Sequence, residues 1–97
     1  MKSIEEWCIE IGEWRITKGF KTGVDNTPEK LMLIVTEVSE AMEAHRKNDW
    51  PNFKEELADI IIRVMDLTNA LGINLELEME KKMKINYDRP YKHDRLY

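Results

Sequence analysis

Apolar residues recur at three- and four-residue intervals along most of the chain, and this rhythm breaks at Gly19–Asn26, around Asn48–Asn52 and at Gly72. The period is that of helices with one buried stripe, so the sequence predicts four helices and an all-α fold. Ser3 is placed to cap the first helix, which runs to about Lys18 and ends at Gly19. Thr27-Pro28-Glu29 opens the second, because proline is tolerated in a first turn and an acid suits the positive helix end. That helix reaches about Arg46 or Lys47. After a turn over 48–52, a third helix runs from about Asn52 to Leu71, and a fourth from about Asn74 to Asn86. Arg89-Pro90 closes the helical region and leaves residues 90–97 as an arm.

The wheels carry more than the count. On the third helix Phe53, Leu57, Ile60, Ile61, Val64, Leu67 and Leu71 form one apolar arc, which Ala58, Ile62 and Met65 widen. Only Glu56, Asp59, Arg63 and Asp66 remain as a narrow polar stripe. An arc much wider than the ~100° needed against one core must be covered from several sides. Four helices give little cover, so the expected architecture is a four-helix bundle-like protomer completed by self-association, as a homodimer or homotetramer. On the second helix Leu31, Ile34, Val35, Val38 and Met42 make the expected packing face, and on the first Ile4, Trp7, Ile11 and Trp14 do.

Composition narrows the class. With 97 residues, a single domain spanning 1–97 is expected, and 42% apolar with 35% charged residues excludes both disorder and a membrane-embedded chain. No run approaches the roughly 18 uncharged apolar residues of a spanning helix, and the first residues lack a secretion signal's apolar core. A cytoplasmic location is the expectation. The lone Cys8 cannot form an internal disulfide and reads as buried filler. Residues 1–80 hold 9 basic and 17 acidic side chains, whereas 81–97 hold 6 and 2. An acidic body argues against stable nucleic-acid binding, while a basic tail beside it suits a phosphate ligand with a metal between.

Candidate chemistry lies in the acids. Glu37 and Glu40 are three apart on the second helix, away from its apolar face, and Glu56 and Asp59 repeat the spacing on the third. A short turn between antiparallel helices can bring both pairs to one point. Four carboxylates so gathered repel one another unless a cation intervenes, and oxygen-only ligands select Mg²⁺, with Mn²⁺ as a substitute. Magnesium commonly shares its shell with substrate phosphates, which points to phosphoryl chemistry. The opposing reading is a solvated acidic face.

Glu37-x-x-Glu40, fifteen intervening residues, then Glu56-x-x-Asp59 resembles the signature of the all-α nucleoside triphosphate pyrophosphohydrolases, the MazG-like group. Glu13-Trp14-Arg15-Ile16-Thr17-Lys18-Gly19-Phe20 is similar to the group's N-terminal stretch, Glu55-Glu56-Leu57-Ala58-Asp59 to its core, and Lys82…Asn86…Arg89-Pro90 to its C-terminal element. Tyr91-Lys92-His93-Asp94 then departs from the Tyr-Lys-His-Gly of shorter members. The resemblance implies Mg²⁺-dependent hydrolysis of a nucleoside triphosphate to monophosphate and pyrophosphate, with Glu37, Glu40, Glu56 and Asp59 as catalytic metal ligands. It further implies Lys82, Asn86 and Arg89 as contacts to phosphate or sugar. Two competing functions stand beside it: phosphoribosyl-ATP pyrophosphohydrolysis on a similar scaffold, and a non-catalytic nucleotide-sensing or protein-interaction bundle.

Other residues divide between roles. Trp14 and Phe20 suit packing or nucleobase stacking. Lys18 suits helix C-terminus stabilisation or phosphate binding. His45, Arg63 and Asp66 read as structural partners of the motif helices, and His93 as an exposed arm residue.

Overall fold

A computed structural model describes residues 1–90 of the chain. Among them are four α-helices and no strand: α1 (Ile4–Lys18), α2 (Thr27–Arg46), α3 (Trp50–Ala70) and α4 (Leu75–Tyr87). A short 3-10 turn, Val24–Asn26, precedes α2. The expected arm beyond Pro90, including His93, lies outside the described residues. None of these helices is long and apolar enough to cross a membrane.

Local chemistry sets the boundaries. The Ser3 hydroxyl accepts from the Glu6 N–H at 3.1 Å while Glu6 accepts from the Ser3 N–H at 2.7 Å, a reciprocal cap. Gly19 ends α1 at φ 78°, a left-handed turn open to glycine at no side-chain cost. The α2–α3 connection is tighter than the sequence suggests. Asn48 takes φ 57°, Asp49 caps Asn52 at 3.2 Å, and α3 already begins at Trp50 with Pro51 in its first turn. Trp50 thereby stacks on Phe53, with ring centroids 5.0 Å apart.

The helices form an open array around α3. Helix α2 packs along one side of α3 and α1 along another, α4 lies against α1 and α3, and the backbones of α1 and α2 do not come close. Two expected packing faces differ from those observed. Helix α1 buries Cys8, Ile11, Gly12 and Arg15, leaving Trp7 and Trp14 about half exposed. Gly12 lies against the Asn69 side chain, so a Cβ at this position would push that amide aside where α1 meets α3. Helix α2 turns its small and acidic residues inward, burying Glu37, Ala41 and Ala44, while Leu31, Val35, Val38 and Met42 stand exposed. On α3, Leu57, Ile61 and Ile62 are likewise exposed although Leu67 is buried. Within one chain the polar stripe of α3 faces its neighbours and much of the apolar arc faces out.

Candidate metal centre

The antiparallel α2–α3 pair brings the acids of both helices together, because Ala41 and Ala44 allow close approach beside them. Glu37, Glu56 and Asp59 each place one carboxylate oxygen within 4.8 Å of the other two. Glu37 is only 9% exposed. Glu40 is exposed and outside this closest trio, yet near enough to act on Glu56. Burial, then the Glu40, Glu37 and Asp59 carboxylates, hold the Glu56 carboxyl above its ordinary range. Glu56 Oε1 is buried with no hydrogen-bond partner among the described residues. Such an orphaned acceptor facing other carboxylates costs free energy unless a proton or a cation meets it. The oxygen-only donor set fits a hard divalent cation.

One positive group already borders the trio. Arg63 Nε lies 3.3 Å from Glu37 Oε2, an ion-pair distance, but is out of line for a hydrogen bond and has no other acceptor. Beyond it opens a cavity of about 450 Å³ between the end of α1, the start of α2 and the middle of α3. Glu37, Asp59, Arg63 and Lys30 line its polar side, and Trp14, Phe20 and Ile62 its apolar side. Trp14 and Phe20 meet at 5.7 Å in a tilted pair and so form a continuous aromatic wall. Trp14 is thus brought to the acids although α1 does not touch α2.

The far wall is held by Asp66. Arg15 Nη1 donates to Asp66 Oδ1 at 2.9 Å and to the Asp66 carbonyl at 3.1 Å, Arg15 Nη2 donates to Asn69 Oδ1 at 3.2 Å, and the Thr22 hydroxyl donates to Asp66 Oδ2 at 2.7 Å. This network fastens the segment after α1 to α3 and so positions Phe20. Asp66 is therefore a structural partner, as its place on the α3 stripe suggests, and Arg63 pairs with Glu37. His45 rests against Phe53 at 5.9 Å.

Other sequence-predicted residues lie elsewhere. Lys82, Asn86 and Arg89 lie on or just beyond α4, which does not touch α2, and none of them lines the cavity; Lys18 does not line it either. Lys30 and Thr22 also line the cavity, and nothing beside them in the sequence marks them for it. A lone lysine in a helix's first turn carries no local signal of a cavity, and the Thr22–Asp66 bond spans 44 positions.

A family model described as "MazG nucleotide pyrophosphohydrolase domain" matches residues 26–88, more than half of the chain, and the matched span contains all four acids. Neither the curated proteins nor the solved structures contain a match to the chain.

Proposed function

The chain belongs to the MazG nucleotide pyrophosphohydrolase domain family, and from that premise we propose that it hydrolyses a nucleoside triphosphate to the monophosphate and pyrophosphate in a Mg²⁺-dependent reaction. The observation that carries this reading is the buried, unpartnered Glu56 oxygen beside Glu37 and Asp59, two acids that line the cavity. Glu37, Glu56 and Asp59, with Glu40 beside them, would hold Mg²⁺, or Mn²⁺ in its place. The metal supplies charge neutralisation on the polyphosphate and acidifies water.

The chain's own residues account for the rest. A carboxylate of the quartet not fully engaged takes the proton of the attacking water, whose oxygen bonds to phosphorus as the α–β anhydride bond breaks and pyrophosphate leaves. Lys30 and Arg63 offer positive charge within the cavity, where low polarity strengthens it. The Trp14–Phe20 wall offers a face for the base, and Ile62 continues that apolar surface.

The same reading includes a second copy of the chain. The exposed Leu31, Val35, Val38 and Met42 on α2, with Leu57 and Ile61 on α3, are apolar side chains that a homodimer or homotetramer would cover. Lys82, Asn86 and Arg89, remote from the quartet in their own protomer, would then contact phosphate or sugar across the interface. Removal of surplus or damaged nucleotides in the cytoplasm is the role that suits such an activity.

Phosphate and pyrophosphate release from a panel of ribo- and deoxyribonucleotides, with and without Mg²⁺, tests the proposal. Pyrophosphate should appear only with metal. A panel that yields none under any divalent cation would leave the activity without support.

A further inference from the structure

The contact between Arg63 and Glu37 has the form of an occupied cation position. Glu37 is the most buried acid of the trio, and the Arg63 guanidinium, 3.3 Å away, is the positive group that offsets its charge. That pairing is incomplete: Nε is buried, off-line from Glu37 and without another acceptor, and the arginine makes no hydrogen bond among the described residues. Its neighbour along the stripe, Asp66, is taken by Arg15 and Thr22 and cannot receive it. Arg63 also lines the cavity into which an anionic ligand of the site would enter.

The geometry points to Arg63 as a placeholder that couples the cation and the polyphosphate: it neutralises Glu37 in the metal-free protein and, when a divalent cation claims Glu37, turns its planar fork to phosphate oxygens in the cavity. The inference rests on the metal-site reading above. A guanidinium suits both states, because it pairs with a carboxylate and with phosphate by the same two-pronged geometry. Two positive groups cannot both lie against Glu37 without mutual repulsion, so metal and arginine compete until an anion arrives. The anion would then satisfy the displaced arginine while its negative charge favours the cation, so each ligand strengthens the other's binding. Arg63 is by this account a positioning residue for the empty site and a phosphate contact for the filled one.

The test measures binding, with Mn²⁺ alone and then with inorganic tripolyphosphate as the probe. Titration calorimetry or Mn²⁺ electron paramagnetic resonance should show Arg63→Gln binding Mn²⁺ about tenfold more tightly than wild type, because a competing charge some ~5 Å away is gone. Tripolyphosphate should tighten Mn²⁺ binding in wild type and do so several-fold less in Arg63→Gln. Arg63→Lys should keep the wild-type Mn²⁺ affinity yet lose much of that enhancement, since its charge is retained and its fork is not. Circular dichroism of each variant confirms that the helices are intact. If wild type binds Mn²⁺ and Arg63→Gln binds it with the same affinity, the placeholder role is wrong and the metal site stands. If wild type binds no Mn²⁺, both fall together.

Discussion

Two arginine–carboxylate pairs lie within one turn of each other along α3, and only one is complete. At the α1–α3 seam Arg15 spends its donors on Asp66 and Asn69 while Thr22 occupies the remaining Asp66 oxygen. At the α2–α3 seam Arg63 approaches Glu37 without a hydrogen bond and Glu56 keeps an unpartnered oxygen. Both pairs take charge out of water, but the first recovers the cost in hydrogen bonds and the second does not. A satisfied network fixes helices, whereas an unsatisfied one beside a cavity leaves polar groups that a ligand of the proposed site would satisfy.

Breaking the open seam should affect activity most. Glu40→Gln or Asp59→Asn should lower Mg²⁺-dependent turnover by ~10³-fold, the several kcal/mol a metal contributes to such a reaction. Initial-rate assays on purified, folded variants check this, and turnover at the wild-type rate would remove these acids from the site.

Stability should separate the two arginines. Arg15→Gln leaves the mostly enclosed Asp66 without its cation and should cost about 2–3 kcal/mol, whereas Arg63→Gln, at a more exposed and looser pair, should cost under about 1 kcal/mol. Denaturant unfolding in the absence of metal measures both. Equal losses would erase the contrast between the seams.

The closed seam can also be strained through its glycine. Gly12→Ala forces Asn69 aside and disturbs its bond to Arg15, at a cost of about 1–2 kcal/mol. Pairing it with Asn69→Ala, which clears the obstruction, should return part of that loss in the same unfolding experiment.

The smallest expected effect is one of pH. Because the native Glu56 carboxyl sits above its reference value of 4.5, the folded metal-free protein binds a proton that the unfolded chain has already released. Stability from this group is therefore lost as pH rises from that value through the raised one, and regained as pH falls. Glu56→Gln carries no such proton, so wild type should lose stability relative to this variant across that window. Parallel thermal melts of the two proteins from acidic to neutral pH would reveal the divergence, and parallel curves would mean that Glu56 feels no crowding.

Much of the secondary structure was legible because it is written in neighbouring residues. Ser3 with Glu6, Gly19, Thr27-Pro28 and Asn74 act on the turns beside them, and the helices begin and end at or near these marks. The gathering of Glu37, Glu56 and Asp59 was legible for a related reason: spacing of three on two helices joined by a short turn leaves little choice of where those acids go. Helix α3 begins at Trp50, two residues before the expected Asn52, because Asp49 caps it and Pro51 is accommodated in its first turn.

The sequence by itself thus determined the helices and the meeting of Glu37, Glu56 and Asp59, with Glu40 left outside the closest trio. Only the tertiary structure decided which faces meet. It set Glu37 and Ala41 of α2 inward in place of Val38 and Met42, and it paired Arg15 with Asp66 across 51 positions. It also seated α1 on Gly12 in place of its tryptophans, and it kept α4 from α2. The reason is physical: caps and turn residues act over a few positions, whereas helix rotation is settled by which distant side chains leave room and which charges need partners. An apolar stripe announces burial, but whether its cover is this chain or another copy is fixed only when the helices pack.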